Sequence, residues 1–239
     1  MDAFDKSEID IKNFEMIETI ADSSYGSVYK VIDRKSGTIY AAKTLNSLND
    51  EEKSIDREVD IMLFANHPTI VKTLGYSRKG FNEFDGITII MEYAKNGSLD
   101  GVLKQIQEGK NPSNFTNTNR QIIMAGIARG MQYLHDHNII HRDLKPLNIL
   151  LDENYYPYIT DFGLSKYYLD GDSHKQSIFG GTVAYEAPEI FNGKEYDKKV
   201  DVYAFGIILF QIVTNLNPYP ELNSSEKSQF KLIRKVTQN

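Results

Sequence analysis

Cysteine is absent from this chain of 239 residues, so disulfide bonds and thiol chemistry are excluded. An excess of basic charge is also lacking. The formal net charge is -6, which disfavours a general nucleic-acid or anionic-membrane surface. Long hydrophobic runs are missing too, since the longest, from Val202 to Val213, is too short to span a bilayer and predicts a buried helix.

The first residues, 1–13, are acidic and lack the apolar stretch of a secretory signal. Asp2 follows Met1, so the glycine that myristoylation requires is not there. Apolar residues make up 41% of the chain and charged residues 25%, which is typical of a globular domain. We therefore expect a cytoplasmic globular protein with no nucleic-acid partner and no membrane partner.

Short runs of β-branched and aromatic residues predict a small sheet in the first half of the chain. Strands are expected within residues 14–44, broken by turn-like ADSSYG and RKSG, and again over residues 70–76 and 87–93. One helix is expected over residues 49–65. Its apolar face carries Ile55, Val59, Met62 and Leu63.

The second half of the chain is predicted to be mostly helical, with helices over residues 98–107, 121–135 and 201–214. Asp201 is predicted to be the N-cap of the last of these helices. Short strands are expected over residues 149–151 and 158–159. Residues 161–189 have few periodic apolar positions and predict a long loop, which is uncommon unless the loop is functional.

The segment HRDLKPLN, residues 141–148, here called the 141–148 loop, places a histidine, an arginine, an aspartate, a lysine and an asparagine within eight positions. Its Asp143 can accept a proton or orient a hydroxyl group. Asn148 offers an amide oxygen, a ligand that Mg²⁺ accepts beside carboxylates and phosphates. Asp161 follows in an Asp-Phe-Gly tripeptide, which by itself is more often an ordinary turn. Placed after the 141–148 loop, however, it suggests a second magnesium ligand.

Two further residues gain meaning only from their order along the chain. Lys43 ends a predicted strand and Glu58 lies in the middle of the predicted helix. Either one alone is more often simply a solvated charge. In sequence before the 141–148 loop, they suit an ion pair that positions a lysine on phosphate.

Together these motifs resemble the set that defines eukaryotic protein kinases. The resemblance implies an α+β bilobal fold: a small antiparallel sheet lobe with one main helix (14–93), a hinge at about 92–97 and a larger, mostly helical lobe (94–239). Residues 1–13 would be an N-terminal extension and 161–189 the activation segment. Segments 96–99, 127–131 and 201–206 are similar to the tyrosine-kinase-like group of serine/threonine kinases.

The resemblance also implies ATP and Mg²⁺, and it implies a role for each site residue. Asp143 would orient the acceptor hydroxyl, Lys145 would screen the transferred phosphoryl group, and Lys145 with Thr182 resembles the serine/threonine class. The implied catalytic residues are Asp143, Lys145, Lys43, Glu58, Asn148 and Asp161, of which Asn148 and Asp161 would bind the metal. The implied ATP-binding residues are Ile20, Ala21, Gly26, Val28, Ala41, Lys43, Met91, Glu92, Ala94 and Leu150. The regulatory spine would include Met62, His141 and Phe162, with Asp201 at its base and either Thr73 or Leu74 as its strand member.

The glycine-rich loop departs from the kinase pattern, because Ala21 and Ser23 replace glycines and only Gly26 and Val28 match. Asp22 adds a negative charge where phosphate is expected. We therefore expect an active serine/threonine protein kinase with weakened ATP binding. The alternative is a pseudokinase or scaffold that transfers little or no phosphate.

The kinase pattern also extends beyond Asn239, so the last helices of the larger lobe are expected to be missing, and with them an arginine partner for Glu189. The expected partners are a protein substrate and an upstream kinase that phosphorylates Ser177 or Ser173 on the activation segment. Arg142, joined by Lys166, would bind that phosphate. Tyr167 and Tyr168 are less favoured acceptors. For any one of these hydroxyls, an ordinary solvated loop position is an equal alternative.

Overall fold

The computed structural model describes residues 7–23, 26–46, 52–81, 85–112, 114–168, 182–192 and 195–220, and also residues 231, 233, 234 and 237. The chain divides into two compact units, Met1–Lys95 and Asn96–Asn239. The first unit is a sheet with one helix, and the second is mostly helical. This architecture confirms the predicted α+β fold class.

The first unit is built on a five-stranded antiparallel sheet in the order β1-β2-β3-β5-β4. Its strands are β1 (Phe14–Ser23), β2 (Gly26–Asp33), β3 (Ile39–Asn46), β4 (Thr73–Lys79) and β5 (Asp85–Glu92). Helix α1 (Glu52–Phe64) connects β3 to β4. The first three strands lie in the predicted region, with β3 ending two residues beyond it at Asn46, whereas β4 lies three residues later than the predicted strand 70–76 and β5 begins two residues before its predicted start at 87. Helix α1 follows the predicted apolar face.

The two faces of this sheet carry different side chains, because successive residues of a strand point to opposite sides. One face forms a core cluster of Ile11, Phe14, Val31, Ala42 and Ile90. On β3, Ala41 and Lys43 alternate with Ala42 and therefore point to the opposite face. That face is the one on which Val28 pairs with Lys43 and Met91 pairs with Ala41.

The described part of the N-terminal segment, from Ser7 to Asn13, covers the edge of β4. The Ile9 N–H donates to the Tyr76 carbonyl at 2.8 Å, and the Tyr76 N–H donates to the Ser7 carbonyl at 3.0 Å. A side chain at Gly75 would collide with this segment, because a Cβ there would lie 2.5 Å from the Ser7 carbonyl oxygen. The segment therefore satisfies backbone groups that an open sheet edge would leave unpaired.

Three main helices form the second unit: α2 (Leu99–Gln107), α3 (Asn117–Asp136) and α5 (Lys199–Thr214). Helix α3 begins four residues before its predicted start at Gln121. The reason is a capping box, in which Thr116 Oγ1 accepts from the Asn119 N–H at 3.3 Å and Asn119 Oδ1 accepts from the Thr116 N–H at 2.7 Å. Ser98 caps α2 in a similar way, through the Gly101 N–H at 3.2 Å.

The predicted N-cap of α5 was wrong. Lys198 occupies that position, and the Asp197 carboxylate accepts from the Lys199 N–H at 2.8 Å. Asp201 lies inside the first turn of the helix and is only 1% exposed. Its carboxylate is turned away from the start of α5, toward the backbone of the 141–148 loop.

Residues 161–189 were predicted as one loop, but their described parts contain regular structure. Strand β6 (Ile139–Ile140) pairs with β9 (Lys166–Tyr167), and β7 (Ile149–Leu151) pairs with β8 (Pro157–Ile159). A 3₁₀ turn and helix α4 (Pro188–Phe191) close the segment. A search of the described helices finds none with the length and apolar character needed to cross a membrane.

Candidate functional site

The buried carboxylate of Asp201 binds the backbone at the start of the 141–148 loop. Asp201 Oδ2 accepts from the His141 N–H and Oδ1 accepts from the Arg142 N–H, each at 2.9 Å. Arg142 has a φ of 68°, in the left-handed region that non-glycine residues rarely adopt. Such a conformation costs about 1–3 kcal/mol, and hydrogen bonds to a buried carboxylate are strong enough to maintain it.

His135 completes this network and was not singled out from the sequence. Its Nε2 lies 2.8 Å from Asp201 Oδ2, and its side chain is 12% exposed. The sequence offered only a weak indication that His135 is buried: it is a polar residue directly after Leu134, near the apolar face of a helix. Asp201 is thus contacted by α3 and by two backbone amides of the loop.

His141 is fully buried and connects the loop to the Asp-Phe-Gly segment. The Asp143 N–H donates to His141 Nδ1 at 3.3 Å, which leaves Nε2 to donate to the Thr160 carbonyl at 3.1 Å. The His141 ring centroid lies 5.2 Å from that of Phe162. The predicted stacking of His141 on Phe162 over Asp201 is therefore present within the second unit.

Hydrogen bonds join three polar side chains of the 141–148 loop: Asp143, Lys145 and Asn148. Lys145 Nζ donates to Asp143 Oδ2 at 2.6 Å and to Thr182 Oγ1 at 3.1 Å. Asn148 Nδ2 donates to the Asp143 carbonyl at 2.8 Å and to Asp143 Oδ2 at 3.0 Å. These contacts fix the Asp143 carboxylate from two sides and place a cation beside it.

The expected metal ligands lie at the matching ends of two paired strands. The Thr160 N–H donates to the Asn148 carbonyl at 3.0 Å, so Asn148 lies opposite Thr160, the residue directly before Asp161. Asn148 turns its Nδ2 toward Asp143, which leaves Oδ1 as the ligand atom. Asp161 has a φ of 68°, a second left-handed non-glycine residue at this site.

A carboxylate and an amide oxygen are hard donors that suit Mg²⁺ shared with phosphate oxygens. A cage made only of protein ligands would need more. Within the described residues there is no group of three or more His, Cys, Asp or Glu side chains placed to hold a metal ion. The donor set therefore fits Mg²⁺ that arrives with a nucleotide.

In the first unit, Lys43 Nζ lies 2.6 Å from Glu58 Oε1. The Glu58 side chain is 5% exposed and that of Lys43 is 21% exposed, so the pair is largely removed from water. The pair joins β3 to α1, as the sequence predicted. Breaking a buried pair by removing one partner leaves an uncompensated charge and costs about 3–5 kcal/mol.

The residues expected to bind ATP are divided between the two units. Nine lie in the first unit: Ile20, Ala21, Gly26, Val28, Ala41, Lys43, Met91, Glu92 and Ala94. Ala41 and Met91 are buried, whereas Ile20 is 49% exposed. Leu150 lies on β7 of the second unit. Of the two candidates for the spine's strand member, Leu74 is 46% exposed and Thr73 is the more buried.

Backbone geometry requires glycine at position 26, the first residue of β2. Gly26 has a φ of 153°, and a Cβ there would lie 2.1 Å from the Thr44 carbonyl oxygen. Opposite each other across the hairpin, Asp22 and Ser27 interact, and Ser27 Oγ donates to Asp22 Oδ1 at 2.6 Å. The Asp22 carboxylate, which departs from the kinase pattern, is therefore positioned by a hydrogen bond from the neighbouring strand β2.

A small pocket lies beside the 141–148 loop, within the second unit. Its lining includes Asp143, Leu144, Thr182, Tyr185, Ile190 and Val200. The Tyr185 hydroxyl donates to Gln211 Oε1 at 2.9 Å, and burial raises the pKa of Tyr185 to about 12. The pocket has an apolar wall next to Asp143, and its tyrosine stays neutral at ordinary pH.

Ser173 and Ser177 lie outside the described residues. Tyr168 is described and packs against Ile140, Ala187 and Val200. The Arg142 guanidinium, expected to bind phosphate, donates to the Leu164 carbonyl at 3.3 Å and lies 5.6 Å from the Tyr196 ring centroid.

A family model described as the protein kinase domain matches residues 14–239. The chain belongs to the protein kinase family. The match extends over both units, and it confirms the resemblance drawn from the 141–148 loop and the Asp-Phe-Gly segment.

Curated kinases from distant organisms are similar to this chain. A "Probable serine/threonine-protein kinase" of Dictyostelium discoideum is 38% identical over 79% of this chain and 18% of its own length. An Aurora kinase of Yarrowia lipolytica is 30% identical over 94% of this chain and 58% of its own. A further "Probable serine/threonine-protein kinase", from Arabidopsis thaliana, is 38% identical over 85% and 53%. The chain thus spans less than two thirds of the length of these relatives.

Proposed function

We propose that this protein kinase transfers the γ-phosphoryl group of ATP to serine or threonine hydroxyls of protein substrates. The observation that carries the proposal is the position of Lys145, whose ammonium group donates to both Asp143 Oδ2 and Thr182 Oγ1. It supports a phosphoacceptor site bounded by a carboxylate and a cation. The names of the relatives favour serine and threonine over tyrosine.

Asp143 would accept a hydrogen bond from the substrate hydroxyl and aim its oxygen at the γ-phosphorus. The carboxylate is already oriented by Asn148 Nδ2 and Lys145 Nζ, so little reorganisation precedes the reaction. Lys145, within reach of the same oxygen, would stabilise negative charge on the transferred group.

Asn148 and Asp161 would hold Mg²⁺, which when bound would neutralise phosphate charge. The left-handed backbone at Asp161 is followed by the fully buried Phe162, which anchors the segment. The carboxylate therefore keeps its place at the end of β8.

Lys43 would contact the α- and β-phosphates, positioned by Glu58 at 2.6 Å. Because Lys43 shares a sheet face with Val28, Ala41 and Met91, that face would also receive the adenine ring. Membership of the tyrosine-kinase-like group and a cytoplasmic location remain predictions.

The test is phosphorylation of three peptides that differ only in a serine, threonine or tyrosine acceptor, with Mg²⁺ and labelled ATP. We expect incorporation into serine and threonine peptides, abolished by Lys43→Met and reduced at least about a hundredfold by Lys145→Ala. Equal activity of Lys145→Ala, or preference for tyrosine, would reject the proposed acceptor specificity. Binding of Mg·ATP without transfer would instead favour the pseudokinase alternative, to which the departure at Asp22 points.

A further inference from the structure

Lys30 lies in the middle of β2, on the sheet face that is expected to receive the adenine ring. It pairs with Ala41 of β3, and Ala41 pairs with Met91 of β5, so these three side chains point to the same side of the sheet. Lys30 also pairs with Glu18 of β1, and its Nζ donates to Glu18 Oε1 at 3.0 Å. The Lys30 side chain is only 23% exposed, so most of this lysine is withdrawn from water.

The ammonium group of Lys30 also contacts an aromatic ring, that of Tyr93. Lys30 Nζ lies 5.2 Å from the centroid of this ring. Within about 6 Å, a cation is attracted to the negative face of an aromatic ring. The hydrogen bond to Glu18 and the proximity of Tyr93 both raise the pKa of Lys30, so its side chain is cationic at ordinary pH. Lys30 therefore joins β1 to Tyr93 through one charged group.

Tyr93 is the first residue after β5, which ends at Glu92. The last residue pair between β3 and β5 is Tyr40 with Glu92, so Tyr93 lies beyond the hydrogen-bonded ladder of these strands. Its neighbours Glu92 and Ala94 are the hinge residues that are expected to bond adenine through their backbone groups. A contact that holds the Tyr93 side chain therefore limits the positions open to the backbone on both sides of it.

We propose that Lys30 is a positioning residue for the nucleotide, which holds Tyr93 and thereby sets the backbone of Glu92 and Ala94 for the adenine base. The inference rests on the ATP binding in the proposed function and deepens it, because Lys30 would act on the base and not on the phosphates. From the usual strength of such a cation–ring contact, we expect its loss to weaken ATP binding about two- to fivefold. This binding is the same in the ground state and the transition state, so the loss should appear in KM for ATP and not in kcat.

The experiment measures the affinity for Mg·ATP and for adenosine, which lacks phosphates, together with KM and kcat for ATP. It compares wild type with Lys30→Met, which loses the charge, and Lys30→Arg, which keeps a cation able to stack on tyrosine. Tyr93→Leu and the double variant complete a double-mutant cycle. Arg34→Met is the matched control, since Arg34 forms a second ion pair with β1, to Glu15 at 2.9 Å, near the open end of the same hairpin. Melting temperatures of all variants check that they fold.

We expect Lys30→Met to weaken the binding of Mg·ATP and of adenosine by the same factor and to leave kcat unchanged. Lys30→Arg and Arg34→Met should bind both ligands as wild type does. The double variant should bind no more weakly than Tyr93→Leu, because both substitutions remove one contact.

Two results would overturn the inference while the proposed function stands. One is wild-type affinity for both ligands in Lys30→Met, in a protein whose wild type transfers phosphate. The other is a loss for Mg·ATP without a loss for adenosine, which would mean that Lys30 acts on the phosphates. If wild type binds ATP but transfers nothing, the proposed function fails and the affinities still decide the role of Lys30. If wild type binds neither ligand, both fail.

Discussion

Replacing Asp201 by asparagine tests how the 141–148 loop is held. The side chain keeps its shape but loses its charge, and one of its two acceptor oxygens becomes an NH₂ group. In the native protein those oxygens accept from the His141 and Arg142 N–H groups, each at 2.9 Å. The substitution therefore leaves one backbone donor facing another donor in a buried position.

The expected cost follows from these two hydrogen bonds. A hydrogen bond to a charged group contributes about 1.5–3 kcal/mol, and a buried donor left unpaired costs about 1–3 kcal/mol. With one bond lost and the other weakened, we expect the free energy of unfolding to fall by about 2–4 kcal/mol. This loss is as large as the strain of about 1–3 kcal/mol at Arg142, so the loop should relax.

The assay is urea unfolding of wild type and Asp201→Asn, together with steady-state phosphorylation. Since a displacement of about 1 Å near the chemistry can cost about a hundredfold, we expect kcat to fall by at least tenfold. Asp197→Asn is the matched control, because its carboxylate accepts from the Lys199 N–H at an exposed site of the same helix, and it should lose less than about 0.5 kcal/mol, since asparagine accepts such a bond about as well as aspartate. Equal stability and kcat for Asp201→Asn and wild type would refute the role assigned to Asp201.

Three more outcomes are expected. Thr73 Oγ1 is buried without a hydrogen-bond partner among the described residues, so Thr73→Val should raise the melting temperature by a few degrees. Thr88→Val is the matched control and should lower the melting temperature, because it removes a 3.0 Å hydrogen bond to Thr44. In the unfolded state Tyr185 ionises above about pH 10, whereas in the folded protein its pKa is about 12, so the folded state becomes less stable as the pH rises between these values. By pH 12, chemical denaturation should show that wild type has lost up to about 2–3 kcal/mol more of its free energy of unfolding than Tyr185→Phe. Gly26→Ala should weaken Mg·ATP binding in calorimetry, since its Cβ meets the Thr44 carbonyl; unchanged affinity would contradict this.

The loop and its partners could be predicted because their information is local. Asp143, Lys145 and Asn148 lie within six residues of one another, and Asp161 follows after a short hairpin. These residue types limit the site to proton acceptance, charge stabilisation and metal binding. Their order along the chain distinguishes the Asp-Phe-Gly segment from an ordinary turn. The Lys43–Glu58 pair followed from the same order, and the structure brings its atoms to 2.6 Å.

The role of Asp201 could not be predicted from its position near the start of a helix. Two aspartates, Asp197 and Asp201, stand within one turn of that start, and either suits an N-cap. Asp201 instead accepts from the 141–148 loop, a contact between residues about 60 positions apart. Asp197 is the aspartate that accepts from the helix backbone, through the Lys199 N–H.

The N-terminal segment was expected to be an extension because the resemblance to protein kinases begins at Phe14. Its apolar positions Ile9 and Ile11 are too few to predict a strand. The structure pairs Ile9 with Tyr76 and buries Ile11 and Phe14 in the core of the sheet. This pairing depends on the missing side chain of Gly75, which only the folded chain brings to Ser7.

Under the proposed function, this chain is an active phosphotransferase and not only a nucleotide-binding scaffold. The most direct measurement is single-turnover transfer of labelled γ-phosphate from Mg·ATP, with binding of the nucleotide measured on the same preparation. We predict transfer by wild type and a rate lower by about a hundred- to a thousandfold for Asp161→Asn. Binding of Mg·ATP by wild type without transfer, or equal rates for the two proteins, would contradict the claim.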